Sequence, residues 1–156
     1  MARHKESDNL VCQNRKAHHH YEILESLECG IVLLGTEVKS LRDKTMSIEE
    51  AYVRLDSGAL WLIGCHIGAY RFGTTAAHDP LRKRKLLAHS REIRKIKTKV
   101  EQKGMTLVPL KVFFNERGIA KVLIGVAKGK KLYDRREDLK TRDHQREMSR
   151  AMRRKR

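Results

Sequence analysis

The last 29 residues, 128–156, hold 13 Lys/Arg against 5 Asp/Glu. Only Leu132, Tyr133, Leu139, Met148, Ala151 and Met152 are apolar there, too few to line a core. Such a segment cannot fold by burying itself. A polyanion can order it, because each neutralised phosphate releases condensed counterions. The folded part of the 156-residue chain is therefore confined to residues 1–127, enough for one real core. Residues 1–12 read as a loose polar start, and 128–156 as a tail that is disordered alone.

Charge elsewhere is segregated. Residues 81–103 carry 10 basic and 2 acidic side chains, whereas residues 1–80 carry 9 and 11. A protein that only needed solubility would intersperse its signs. Two separated basic segments suggest two surfaces able to meet phosphate. Cys12, Cys29 and Cys65 are odd in number and far apart, which fits free thiols in a reducing, cytoplasmic setting. No apolar run approaches the length of a membrane helix, and the tail lacks the apolar face of an interfacial one.

The pattern along the chain is mostly β. His19, Tyr21 and Ile23 alternate as in a strand, and Glu28-Cys29-Gly30 reads as a turn. Ile31–Leu41 reads as a strand bent at Gly35. Ser47-Ile48-Glu49-Glu50 has the spacing of a capped helical turn. Asp56-Ser57-Gly58 marks a hairpin between Ala51–Leu55 and Leu60–Ile63, and a third extended stretch runs on toward Tyr70. Asp79-Pro80 reads as the start of a helix over Leu81–Ala88. A second helix spans Arg91–Gln102, with Ser90 as cap, Ile93, Ile96 and Val100 on one stripe, and Gly104 as stop. Met105–Phe114 and Ile119–Val126 are two further strands. The expected fold is mostly β: a small antiparallel barrel of about six strands with two or three short helices. In the tail, Asp134 and Glu137 suggest a helix start, and Arg142, Arg146, Arg150 and Arg154 recur every fourth residue. Like charges so spaced disfavour a helix in water, so the tail should become helical on RNA.

Chemistry-bearing clusters are sparse. His18-His19-His20 invites a metal reading, but adjacent strand residues point to opposite faces, and no metal or cofactor is expected. His78-Asp79 is a candidate acid–base pair for RNA cleavage, although Asp79-Pro80 also explains itself as a cap. Arg82-Lys83-Arg84-Lys85 is the densest basic run before the tail. Trp61, Tyr70, Phe113 and Phe114 read as core or core rim; with aromatics at 5%, recognition of RNA shape and phosphates is expected over base stacking. An RNA-binding adaptor, a basic RNA-processing enzyme and an ordinary ribosomal protein all fit this composition.

Several long motifs narrow the field. They are Asn14-Arg15-Lys16-Ala17, His20-Tyr21, Glu28-Cys29-Gly30, the run from Gly35 to Arg42 (GTEVKSLR), and the run from Asp79 to Leu87 (DPLRKRKLL). The run from Gly125 to Lys131 (GVAKGKK) and Asp134-Arg135-Arg136 complete them. From about Asn14 to Arg146 the chain resembles the SsrA-binding proteins (small protein B), partners of transfer-messenger RNA (tmRNA) in bacterial ribosome rescue. The resemblance implies an OB-like barrel that is a monomer when free and not an enzyme. The barrel would bind the tRNA-like domain of tmRNA, and the tail, helical on the ribosome, would enter the decoding centre and the empty mRNA channel. It puts tmRNA-binding positions at Asn14, Glu28, Leu87 and Lys121; Arg15, Lys16, Arg82, Arg84, Lys85 and Lys128 are basic candidates beside them. Tail positions expected at the ribosome are Lys130, Lys131, Tyr133, Asp134, Arg135, Arg136, Arg142, Arg146 and Arg150, Tyr133 stacking on a decoding-centre base. Departures from the family pattern are Arg135 in place of Lys, two extra histidines at 18 and 19, and Lys44 where a turn glycine is common.

Overall fold

The computed structural model describes residues 9–73 and 77–154, with the side chains of 102, 103, 132–135 and 154 outside the description. Nine strands and four helices are described: β1 (Leu10–Gln13), α1 (Ala17–His20), β2 (Tyr21–Ile31), α2 (Gly35–Arg42), β3 (Met46–Ser47), β4 (Tyr52–Asp56), β5 (Ala59–Ile63), β6 (His66–Ile67), β7 (Arg84–Leu87), α3 (Ser90–Lys103), β8 (Thr106–Phe114), β9 (Ala120–Gly129) and α4 (Leu132–Arg154). The order β8-β4-β5-β7-β2-β9 closes on itself through β8–β9, giving a six-stranded antiparallel ring of the expected OB-like kind. β1 adds to β8, and β3 and β6 form a separate two-stranded ribbon.

Closure rests on β8 serving three partners. Its first half meets β4 at Leu107, its second half meets β1 from Lys111 to Phe113, and β9 runs along both. The register against β9 shifts between Pro109 and Lys111. Proline has no N–H for the ladder, so a bulge is where a strand tolerates it. Leu60, Leu62, Leu86, Val112, Val122 and Ile124 point into the ring and are buried. A smaller cluster on the outer side joins Ala17, Val108, Leu110 and Ala127, with Tyr21, Ile23 and Leu123 packed on it.

Local signals worked where they were complete. The β4–β5 hairpin turns on Ser57 (φ 49°) and Gly58 (φ 75°), the double positive φ of a type I′ turn. α3 ends on Gly104 at φ 59°. Its start is one residue earlier than expected: the His89 N–H donates to the Glu92 carboxylate at 2.9 Å, ahead of Ser90.

Six local expectations are corrected. Residues 35–42 form helix α2, not a strand, because Glu37 turns back to accept the Leu34 N–H at 2.8 Å. Residues 84–87 are a strand, not a helix. Arg84 and Leu86 face inward and Lys85 and Leu87 outward, filling the slot between β5 and β2, while Asp79 accepts the Leu81 N–H in a turn. Glu28-Cys29-Gly30 is mid-strand, with Cys29 buried in the core. His18–His20 lie in the short helix α1, begun by Asn14, whose side-chain oxygen accepts the Ala17 N–H at 3.1 Å. Ser47 ends β3 and is followed by a turn closed by Ala51 N–H on the Ile48 carbonyl, not a helix. The polar start is shorter than expected, since β1 begins at Leu10; residues 1–8 lie outside the description.

Candidate nucleic-acid interface

The outer face of the β7–β2–β9 sheet brings three distant residues together. Leu87 on β7 and Lys121 on β9 lie directly opposite Gly30 on β2, from its two sides. Cross-strand partners point to one face, and so does Glu28, two residues before Gly30. Lys121 Nζ accordingly lies 4.0 Å from Glu28 Oε1. Leu87 is 53% exposed, a leucine shown to solvent amid a charged surface. Gly30 lets the strands pack closely here: a Cβ would meet Leu87 Cβ at 3.3 Å. The result is a shallow patch with an apolar centre, one acceptor and one cation. Such a patch can accept from a base or ribose donor while neutralising a phosphate. Lys85 is exposed two residues before Leu87, on the same outer side.

Other expected positions go elsewhere. Arg84 is fully buried. Its Nε donates to Glu37 Oε1 at 2.9 Å, and its other nitrogens donate to the carbonyls of Cys65, Arg82 and Pro80 at 2.8–3.2 Å. Arg82 reaches the second Glu37 oxygen at 2.7 Å. Burial alone would raise the Glu37 pKa. Hydrogen bonds from Arg82, the Leu34 N–H and Arg84, with the Arg84 charge, outweigh it and hold the carboxyl below its ordinary value. The densest basic run before the tail is therefore half structural. It ties α2 to β7 through one buried carboxylate.

Asn14 is buried as well. Its amide donates to the Pro109 carbonyl at 3.3 Å and its oxygen is the α1 cap, so it shapes the β1–α1 corner and displays nothing. Arg15 and Lys16 are exposed at that corner, Lys16 against Glu49 at 2.9 Å. The cleft that Lys16 borders includes Tyr21, at the far end of β2 from Gly30. Nine residues of strand put that about 30 Å from the Leu87–Glu28–Lys121 patch.

The tail leaves from the same far end. Gly129 pairs with Tyr21, and Lys128 is exposed opposite Glu22. Lys130 then clasps the junction: its N–H donates to the His20 carbonyl, and its ammonium donates to the His18 carbonyl and pairs with Asp138 on α4. That pairing holds Asp138 below its ordinary pKa. Lys131 and Arg136 are exposed. Arg142, Arg146 and Arg150 line one groove of α4 with Gln145, Ser149 and Arg153. Arg153 joins the ridge, because 3.6 residues per turn slowly carries a strict four-residue repeat around the helix. α4 begins at Leu132, so Asp134 falls inside the helix and is not its cap; the side chains of Tyr133, Asp134, Arg135 and Arg154 lie outside the description.

The histidine of the candidate acid–base pair is structural. His78 is buried, with Nδ1 3.0 Å from the Thr36 hydroxyl and Nε2 3.1 Å from the Ile67 carbonyl, so neither ring nitrogen faces a substrate. The three thiols are free, and burial pushes Cys12 and Cys65 up to about 12 and Cys29 to about 11. No helix among the described residues is long and apolar enough to cross a membrane.

The register also puts on the outer face Lys111, which no motif singled out, and Phe113, which was expected at the core or its rim. Phe113 lies opposite Lys121, and Lys111 opposite Leu123. Phe113 alternates with buried Val112, but the bulge between Pro109 and Lys111 breaks the alternation before it, so the preceding residues do not show that Lys111 faces out.

Comparison with known proteins gives the family of the chain. The family model described as SmpB protein matches residues 11–154. The SsrA-binding protein of Rhodopirellula baltica is 50% identical over 145 residues, covering 93% of this chain and 82% of that one. That of Moorella thermoacetica is 51% identical over 144 residues, covering 92% and 93%. A solved chain from "tmRNA-SmpB: a journey to the center of the bacterial ribosome" aligns with a TM-score of 0.64 and 55% identity, over 78% of this chain and 85% of that one. By the extent and identity of these matches, the chain belongs to the SmpB family.

Proposed function

We propose that this protein is the RNA-binding adaptor of trans-translation, a cytoplasmic non-enzymatic protein. It holds the tRNA-like domain of tmRNA on its barrel and delivers it to stalled ribosomes, where the nascent chain is tagged for proteolysis. Family membership supports the role. One structural observation supports its division of labour: the Leu87–Glu28–Lys121 patch and the root of the tail lie at opposite ends of the same two strands, β2 and β9. A rigid antiparallel pair about 25–30 Å long thus separates two RNA-facing ends. The patch end suits a folded RNA, read by one acceptor and one cation around an apolar centre. At the other end, α4 would extend about 35 Å as a basic rod into the decoding centre and mRNA channel. Lys130, clasped by α1, is the fixed root of that rod, and Lys131, Tyr133, Asp134, Arg135 and Arg136 lead into it.

The test is a pair of assays on the full chain and on a chain ending at Gly129. Electrophoretic shift with labelled tmRNA should give similar binding for both, with ordinary tRNA competing poorly. Tagging on stalled ribosomes should be lost with the tail. Equal loss of binding and tagging on truncation would refute the division between barrel and tail.

A further inference from the structure

The outer face does not stop at Lys121. Across β9 from Gly30, the next residue in the same row is Phe113 on β8, so Leu87, Gly30, Lys121 and Phe113 form one line over four strands. One row along β2 and β9, Glu28, Leu123 and Lys111 form a parallel line. Lys111 Nζ lies 5.3 Å from the centre of the Phe113 ring. Neither residue is buried.

We propose that Lys111 and Phe113 are a second half of the tmRNA-binding face, Lys111 neutralising a phosphate and Phe113 packing on an adjoining ribose or base. The inference rests on the reading of the Leu87–Glu28–Lys121 patch as the tmRNA site, and it widens that site from three strands to four.

Three observations carry it. The first is continuity: strand register makes Phe113 the direct neighbour of Lys121, with no gap between the two halves. The second is charge. Lys121 is turned toward Glu28, whereas Lys111 pairs with no carboxylate among the described residues. An aromatic face attracts an ammonium without cancelling its charge, so the Phe113 ring keeps Lys111 in place and still able to neutralise a phosphate. The third is the choice of ring. Phe113 points outward beside Phe114, and an outward ring flanked by two lysines is the combination with which proteins hold RNA backbone and bases. The competing role for Phe113 is cover for the β1–β8 edge, where it faces Leu10. A leucine would serve that role equally well and would not stack.

The full-length chain is compared with Phe113→Leu, Lys111→Gln and Glu28→Ala, measuring affinity for the tRNA-like domain of tmRNA across a salt series and thermal melting for each. Phe113→Leu should melt normally and bind about fivefold or more weakly. Lys111→Gln should weaken binding and lower the log–log salt slope by about 0.7–0.9, one phosphate contact. If Phe113→Leu also lowers the melting temperature, the Lys111→Gln slope decides. Binding and slope unchanged in both variants, while Glu28→Ala weakens binding, would overturn the four-strand face and leave the three-strand patch standing. Failure of Glu28→Ala to weaken binding would instead remove the patch, and the extension with it.

Discussion

Arg84 in the barrel and Arg146 in the tail are the same side chain, each from a run dense in basic residues, and they end in opposite states. Arg84 is fully buried, every hydrogen-bonding nitrogen engaged by Glu37 or a backbone carbonyl. Arg146 is exposed on α4 in a row with Arg142, Arg150 and Arg153. The difference is the supply of acceptors. The barrel sets one buried carboxylate and a ring of turn carbonyls around Arg84. The tail helix spends its carbonyls on itself and has five acids for eight bases. Basic density alone therefore does not mark an RNA contact. A cation is available to RNA only where the fold has not already surrounded it with acceptors.

The widest separation between the two regions is expected from deletion. A chain ending at Gly129 should keep tmRNA affinity and lose tagging entirely, since every cation of the α4 ridge is gone while the barrel strands remain whole. The barrel alone should bind through about five phosphates, with a log–log salt slope near −3.5 to −4.5. A slope that falls sharply on truncation would show that tail cations contribute to tmRNA binding, and would break the contrast.

Next in size is the buried ion cluster. Glu37→Gln leaves Arg84 charged, buried and without its counter-ion, a change that costs about 3–5 kcal/mol. Tail variants such as Arg146→Ala should change stability by less than about 0.5 kcal/mol. The cluster also sets an acid limit. Because the folded-state pKa of Glu37 is depressed, its stabilisation is present above the unfolded value of about 4.3 and is lost as pH falls through the folded one. Melting temperature should therefore fall steeply below about pH 4, and Glu37→Gln should flatten that part of the profile. If Glu37→Gln melts like the unaltered protein, the cluster is no more than a surface ion pair.

The cluster also shows where reading the chain ran out. Hairpin, stop signals and the last two strands were legible because each depends on a few adjacent residues: Ser57-Gly58, Gly104, the apolar alternation of β8 and β9. Residues 35–42 and 84–87 were misassigned because their states depend on each other across 47 residues, through Arg84 and Glu37. Asn14 likewise finds its acceptor on Pro109, 95 residues away. The Leu87–Glu28–Lys121 patch was legible only through family resemblance. Glu28, Leu87 and Lys121 share no local pattern, and strand register alone brings them around Gly30. Phe113 was read as core or rim, since alternation cannot say which side of a closed sheet is inside until the neighbouring strands are known.

A smaller effect tests the patch itself. Glu28→Ala makes the protein more basic, and a purely electrostatic surface would then bind RNA more tightly. If the carboxylate accepts from the RNA, binding should instead weaken by about tenfold, the worth of one charge-assisted hydrogen bond. Tighter binding in the variant would place this end of the barrel with the tail, as displayed charge and no more.

Lys44 gives the smallest effect and a third use of a cation, neither surrounded by acceptors nor aligned for RNA. It follows α2, where the Lys44 N–H donates to the Leu41 carbonyl at 2.9 Å and the Thr45 N–H to the Ser40 carbonyl at 3.1 Å. Those two bonds make the paired helix-end motif that requires a left-handed residue, and Lys44 supplies it at φ 57°. A side chain strains this conformation by about 1–2 kcal/mol, while glycine fits it but loses more entropy on folding, about 0.5–1 kcal/mol. Lys44→Gly should therefore stabilise the barrel by up to about 1 kcal/mol, read as a higher melting temperature. It should leave tmRNA affinity and tagging where they were if Lys44 serves only the helix end, although it shares a cleft with Arg15. A loss of affinity would show that the lysine was retained at this strained position for its charge, and that the barrel displays cations beyond the two ends of β2 and β9.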